Sequence, residues 1–320
     1  MTESATPQVL AMGRALVDFY PESDGPLTEV RHYRSAVGGS PANVAIAAST
    51  LGVRTALIAR VGDDPLGRFV VAELARRGVD TAEVLALPGV TTPVAVCEID
   101  PPYRFPLTFL RPEPAADLQV RSDHLDFARV TGADILWASL SGLAGEPART
   151  AVLDAFRARA GRPHTVLDLD YRPSFWRDPS EAGAAARAAL PLATVAIGNL
   201  EECRIALGLV ADPTPDEAAD ALLAAGVSLA IVKLGGEGVL GATPAERLRV
   251  PPVPVEVVNG LGAGDAFGGA LCAGLLEERT LERILRFANA AGAIVASRRA
   301  ASEAMPTRAD VEALLASRGV

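Results

Sequence analysis

The chain has 320 residues, 49% of them hydrophobic and 22% charged, a length and balance that suit one large α/β domain or two smaller ones with a sizeable core. A formal net charge of −9 opposes a nucleic-acid or anionic-membrane surface, both of which need a basic patch, and leaves a small polar ligand as the expected partner. Cys97, Cys203 and Cys272 are far apart, odd in number and form no CxxC pair, so neither a disulfide framework nor a zinc knuckle is expected and a reducing cytoplasm fits.

The opening MTESATPQV has no cationic stretch followed by an apolar one, and no run approaches the ~18 apolar residues of a membrane span, so a soluble, unexported protein is expected. QVLAMG (8–13) reads as a first strand. Residues 14–37 then break into short strands and turns rich in Pro and aromatics. In GGSPANVAIAASTLG, Ser40 is a candidate N-cap with Pro41 at the first helical position; Val44, Ala47, Ala48 and Leu51 share one face, and Gly52 closes the helix. A strand follows in RTALIARVG (54–62). Residues 90–112 again lack a crossover-helix pattern, and a small antiparallel flap on the edge of the main sheet accounts for both irregular segments.

Further strands fall in DILWAS (134–139), HTVLDLD (164–170), TVAIG (194–198) and SLAIVKLG (228–235). Their alternation with amphipathic stretches implies a mainly parallel sheet covered by helices on both faces. Asp168 and Asp170 alternate onto one face, with Arg172 beside them either as a structural partner or as a planar fork for a substrate carboxylate. Asn199 and Glu202 sit at a strand's C-terminal end, where open α/β sheets bind ligands; they suit either Mg²⁺-bound water and phosphate, or a plain helix cap.

Lys233 is the only lysine among 30 cationic residues; at its strand end it is placed to meet phosphate or to lie solvated on the surface. Gly236, Gly238 and Gly241 spell GxGxxG, but ATPAERLRVPPVP follows where a dinucleotide fold needs a helix, so a β-hairpin is the better reading. In NGLGAGDAFGGALCAGLL, Phe267, Ala270, Leu271, Gly274 and Leu275 mark one helix face, which places Gly262, Ala263, Gly264 and Asp265 at its N-terminus. Free N–H groups and the helix dipole make that turn an anion site; Asp265 there either caps the helix or takes a proton from an attacking hydroxyl. The chain reads as mostly helical from there on. His32, His124 and His164 are isolated and read as surface or structural.

The early GGSPANVAIAASTLG…ALIARVGDDPLG, the central GNLEE, and the late VKLGGEGV and NGLGAGDAFGGA, in this order over nearly the whole chain, resemble the ribokinase or phosphofructokinase-B family of sugar kinases. The resemblance implies one αβα sandwich over residues 1–320 with a mainly parallel central sheet and a small β-lid (about 14–37 and 90–112). It implies ATP and Mg²⁺ as cofactors, with Asp265 as general base and the amides of Gly262, Ala263 and Gly264 as anion hole. Asn199 and Glu202 would organise Mg²⁺, Glu202 through water; Lys233, Gly235 and Gly238 would border the nucleotide and Asn289 the adenine. Asp18, Gly38, Gly39 and Asn43 match positions that hold sugar hydroxyls, and Arg111 and Arg172 match arginines that hold a carboxylate.

Within the family, CEIDPPYRFPLTFLRP, LDLDYRPSFW, GNLEECRIALG and the stretch around GAGD look most like members that phosphorylate the C6 hydroxyl of 5-dehydro-2-deoxy-D-gluconate in myo-inositol catabolism. Kinases of 2-keto-3-deoxygluconate or fructose, and a regulator that kept the fold without catalysis, are the alternatives. The family also implies a homodimer and a K⁺ site near the GAGD loop, where many members carry Asp-Thr and this chain has Asn259 and Gly260. The lid reads LTFLR, with Thr108 and Leu110 where relatives place tyrosines near the acceptor.

Overall fold

The computed structural model describes residues 6–99, 104–299 and 301–318. Residues 100–103 of the second expected lid segment lie outside the described residues, as do the first five and last two residues of the expected 1–320 domain. In chain order the strands are β1 (Val9–Met12), β2 (Leu16–Pro21), β3 (Tyr33–Gly38), β4 (Thr55–Gly62), β5 (Val79–Asp80), β6 (Val84–Leu87) and β7 (Val94–Cys97). They continue with β8 (Leu107–Leu110), β9 (Ile135–Ser139), β10 (Thr165–Asp168), β11 (Val195–Asn199), β12 (Leu229–Lys233), β13 (Val239–Ala242) and β14 (Arg247–Val250). The helices are α1 (Ser40–Thr50), α2 (Pro65–Arg76), α3 (Phe127–Gly132), α4 (Ala148–Arg159), α5 (Pro179–Ala189), α6 (Leu200–Leu207), α7 (Pro215–Ala224), α8 (Ala263–Leu276), α9 (Leu281–Ala296) and α10 (Arg308–Ser317).

The main sheet runs β14-β13-β12-β11-β10-β9-β1-β4-β5, with β6 also paired to β4. From β12 to β6 every pairing is parallel, and only the β12–β13–β14 meander is antiparallel. Period-2 alternation divides the strand residues between two cores. Val9, Ala11, Ile135, Trp137, Val166 and Ile197 pack under α1, α2, α8 and α9. Leu10, Met12, Leu136, Ala138, Leu167 and Ala196 pack under α4 to α7 on the other face. Both layers are therefore written in strands that are apolar throughout, as the buried parallel sheet requires. Trp137 is 0% exposed, and truncating it to Ala would cost about 3–5 kcal/mol.

The two irregular segments form a second sheet, β3-β2-β7-β8. It is mixed rather than antiparallel: β2 and β7 pair in parallel, because the chain returns to the lid only after crossing through β4, α2 and the short β5 and β6. The strand pieces at 79–87 extend the main sheet and left little trace in the sequence, being two and four residues long with Leu85 exposed. The GxGxxG stretch is the β12–β13 hairpin, with Gly238 at φ 95° in its turn.

Candidate active site

Strands β1, β9, β10, β11 and β12 end side by side, with Asp168 in register with Ser139 and Asn199 with Lys233. This is the edge at which parallel α/β sheets place their ligands. Two helices, α1 and α8, begin over it, and among the longer helices only these two and α4, whose N-cap is Pro147, lack a side-chain cap. Asp64, Asp178, Asn199, Thr214, Thr280 and Thr307 cap α2, α5, α6, α7, α9 and α10 through their side chains. Gly39 and Gly262 cap α1 and α8 with none. Gly39 has φ 96° and Gly262 φ 82°, a region costly to other residues, and a Cβ on Gly262 would collide with Ala301. The first-turn N–H groups of α8 are thus left without a side-chain acceptor, in a turn too tight for a side chain.

The sequence expectation of Ser40 as N-cap is corrected by one residue. Ser40 is the first residue of α1, and its hydroxyl turns away from the helix to donate to Asp168 Oδ2 at 3.3 Å. Asp265, half-buried in the first turn of α8, accepts a 2.8 Å hydrogen bond at Oδ2 from Asn43 Nδ2. Its sequestration raises its pKa above the ordinary 3.8, and the hydrogen bond from Asn43 opposes that rise. Asp265 makes no capping hydrogen bond, so the reading of this residue as a simple helix cap falls away.

On the nucleotide side, Asn199 and Glu202 form a reciprocal capping box on α6, with Glu202 Oε2 accepting from Asn199 N at 2.7 Å and Asn199 Oδ1 from Glu202 N at 2.9 Å. The capping reading of this pair holds, and the box leaves Glu202 within reach of Lys233. Lys233 is not a solvated surface residue. Its ammonium lies 3.8 Å from Glu202 Oε2 and 3.9 Å from Asp168 Oδ1, and a Cβ on Gly264 would be 3.5 Å from it. Burial opposes the Lys233 charge, but Glu202 and Asp168 outweigh it and hold its pKa well above normal. Burial pushes Asp168 up to about 7 against the pull of Lys233, and its Oδ1 has no hydrogen-bond partner among the described residues.

Beyond this cluster, Val250, Pro251, Pro252, Val253, Pro254 and Leu315 wall a cavity of about 280 Å³ that Asn289 enters, donating to Pro251 O at 3.1 Å. Gly238 abuts the same Val250–Pro251 backbone, and Gly235, at φ 57°, begins the turn before it. A flat apolar slot next to a carboxylate-ammonium cluster and an open helix N-terminus fits a nucleoside triphosphate. Among the described residues no group of three or more His, Cys, Asp or Glu could hold a metal ion. Mg²⁺ therefore fits near Glu202 and the unpartnered Asp168 Oδ1 as an ion largely ligated by phosphate and water, as it commonly is. At the K⁺ site implied by the resemblance, the side chain that would have to replace the family's carboxylate is already engaged. Asn259 is neutral and 0% exposed, and its amide is spent on Arg299 O at 2.7 Å and Leu261 N at 3.0 Å.

On the acceptor side, Arg14, Asp18, Tyr20, Gly39, Ser40, Asn43, Leu107, Phe109, Arg172 and Asp265 enclose a cleft of about 40 Å³. At the ~10–15 Å³ of such space that one water needs, this cleft takes waters rather than a sugar. Asp18 accepts from Tyr20 OH at 3.0 Å and lies against Gly38; burial pushes its pKa up to about 7, opposed by that hydrogen bond and by Arg14. Arg172 pairs with Asp170 at 2.7 Å and still reaches the cleft, so its two sequence readings are compatible.

Arg111 does not line this cleft. Its fork is taken by Asp117, with Nε to Oδ1 and Nη2 to Oδ2 both at 2.9 Å, and it lies over Phe175. The missed residue is Arg14, 4% exposed, whose only trace in the sequence was its place one residue after a strand. Thr108 and Leu110 are also corrected: strand alternation turns them to solvent, Leu110 being 57% exposed, while Leu107 and Phe109 face the cleft.

A carboxylate held at an uncapped helix N-terminus, between a polar acceptor cleft and a nucleotide slot, defines a phosphotransferase acting on an alcohol. The chain belongs to the pfkB family of carbohydrate kinases, whose model matches residues 6–308, and its mainly parallel sheet is the ribokinase-like fold. It is 34% identical to the 5-dehydro-2-deoxygluconokinase of Shouchella clausii strain KSM-K16, over 96% of this chain and 95% of that protein. Among solved structures, a ribokinase-II-like protein from E. coli in complex with ATP and Mg²⁺ superposes with a TM-score of 0.87 at 26% identity, covering 97% of this chain and 99% of that one. A fructokinase from Xylella fastidiosa with bound ATP gives 0.86 at 27%, covering 98% and 99%. The protein is a sugar kinase that uses ATP and Mg²⁺.

Proposed function

We propose that this kinase transfers the γ-phosphoryl group of ATP to the C6 hydroxyl of 5-dehydro-2-deoxy-D-gluconate, a step of myo-inositol catabolism. The observation that carries the reading is the placement of Asp265, oriented by Asn43, in a cleft whose lining also holds Arg14 and Arg172. A base alone would serve any sugar. Two arginines in a nearly closed cleft favour an acid, because an unneutralised buried charge is costly, and the 34% identity to a 5-dehydro-2-deoxygluconokinase supports that acid in particular.

Asp265 takes the proton as the C6 oxygen bonds to the γ-phosphorus and the bond to ADP breaks. Its raised pKa brings it closer to working pH, which suits a general base. The first-turn amides at Gly262, Ala263 and Gly264 stabilise charge on the moving group. Asp18 and Asn43, with Gly38 and Gly39 close by, hold the sugar hydroxyls. Lys233 faces the nucleotide phosphates near Gly235 and Gly238, Asn289 borders the adenine, and Asn199 with Glu202 orients the water around Mg²⁺. When bound, that ion neutralises phosphate charge. The lid, built from 14–37 and 90–112 on the single catalytic domain, closes over the acceptor and excludes water.

The reading includes a cytoplasmic homodimer with no nucleic-acid or membrane partner. Free, buried Cys97, Cys203 and Cys272 support a reducing compartment, and outward Tyr33 and Leu110 on the lid support a covered face. Among the described residues no helix is long and apolar enough to cross a membrane.

An ADP-coupled assay with Mg-ATP tests the assignment against 5-dehydro-2-deoxygluconate, 2-keto-3-deoxygluconate, fructose and ribose. The expected outcome is a kcat/KM preference of ~100-fold or more for the first, about 2.7 kcal/mol of discrimination. A preference for another acceptor replaces the substrate and leaves the kinase chemistry standing.

A further inference from the structure

Arg14 is the most deeply buried cationic residue of the cleft, and most of its hydrogen-bonding capacity is unused. Its side chain is 4% exposed, and its one protein acceptor is Asp170 Oδ2, reached from Nη2 at a long 3.4 Å. Nε and both hydrogens of Nη1, three of the five N–H donors of a guanidinium, have no acceptor among the described residues. One side of it, by contrast, is covered: the guanidinium carbon lies 4.7 Å from the Phe175 ring centroid and 5.5 Å from that of Phe109, two rings that meet edge to face at 4.9 Å and so back it from the same side. Aromatic contact satisfies the face of a guanidinium and fixes its plane, but it accepts nothing at the edge. Unsatisfied charged donors in a buried site are expensive, so they imply an acceptor that arrives from outside the protein.

Around Arg14 itself the ion pairing favours an anionic acceptor. Asp170 sits between Arg14 and Arg172, giving the triad one excess positive charge, and it is nearer to Arg172 at 2.7 Å. Arg111, the other arginine in contact with Phe175, is neutralised by Asp117 and stays outside the cleft. We propose that Arg14, backed by Phe109 and Phe175, is the specificity-determining anchor that receives the carboxylate of the acceptor sugar acid. In this arrangement Arg172 chiefly holds Asp170 in place. Phe109 belongs to the lid strand β8, so the lid supplies one of the two rings that back the guanidinium as the acid binds.

The inference rests on the sugar-acid reading above, and the test separates the two. Steady-state kinetics compare wild type, Arg14→Gln and Arg14→Lys on 5-dehydro-2-deoxygluconate, on its C1 alcohol analogue, on 2-keto-3-deoxygluconate and on fructose, with ADP affinity measured by calorimetry as the check on folding. Arg14→Gln is expected to raise KM for the acid ~100-fold and to collapse the acid-to-alcohol ratio of kcat/KM at least ~30-fold, with ADP affinity retained. Arg14→Lys keeps the charge without the fork and is expected to fall between, about 10-fold; it decides the matter alone if the Gln variant does not fold. If wild type prefers 2-keto-3-deoxygluconate, the substrate assignment falls, and the same collapse on that acid upholds Arg14. An unchanged acid-to-alcohol ratio in the variants, or a wild type that prefers the neutral sugars, overturns the anchor.

Discussion

At the phosphoryl-transfer end of the cleft, every polar group comes from the C-terminal end of a central strand or the first turn of a helix: Asp168, Asn199, Glu202, Lys233 and Asp265. At the acceptor end the starts of α1 and α8 are joined by three pieces from outside that edge, namely the chain from Arg14 to Tyr20, lid strand β8, and the loop after β10. The first end is held by the main sheet and its cores; the second depends on the four-stranded lid sheet. The difference teaches where each property resides. Chemistry shared across carbohydrate kinases belongs on the rigid sheet edge, while acceptor choice belongs on the part that moves.

The contrast can be broken most sharply at Asp265. Asp265→Asn keeps an oxygen for the Asn43 hydrogen bond and should retain both substrates, yet lose ~10²–10⁴-fold in kcat. Near-normal turnover in pre-steady-state and steady-state assays would remove the proposed base. Next in size is Arg111→Ala, which strands the 2% exposed Asp117 carboxylate. Chemical denaturation should show a loss on the order of 3 kcal/mol, with the acid-to-neutral preference unmoved; a collapse of that preference would return Arg111 to the acceptor site.

Lys233→Met tests the other end, since it leaves Glu202 and Asp168 facing each other without a cation. KM for ATP should rise roughly 10-fold or more with KM for the acceptor little changed. Equal changes in both would show that the two ends are not independent.

The smallest effect concerns pH and stability. Asp18 has an ordinary pKa of 3.8 and a folded value of about 7. Between those values the folded protein holds a proton that the unfolded chain has released, so this group costs stability as pH rises through that window, with the full cost present above about 7. Wild-type Tm should therefore decline from pH 5 to 8. Asp18→Asn should flatten that decline in part, because Asp168, also at about 7, acts in the same direction. An identical slope in the variant would mean that Asp18 is not the buried acid responsible.

The sequence by itself determined the parallel sheet, because apolar runs of strand length separated by amphipathic stretches bury both faces whatever their neighbours are. It also determined the open N-terminus of α8 and the Asn199–Glu202 turn, since glycine and capping-box chemistry act over four residues and need no distant partner. Ser40 shows the limit of such local rules: it has an N-cap's composition, but a distant carboxylate, Asp168, draws its hydroxyl away. Only the tertiary structure decided which arginine faces the sugar. Arg14 and Arg111 are the same side chain with the same intrinsic charge. Asp117 satisfies one, while aromatic rings and a long contact to Asp170 leave the other with its donors open. Partner choice of that kind is settled by contacts between residues as far apart in the chain as Arg14 and Asp170, and burial then fixes the cost of every donor left over.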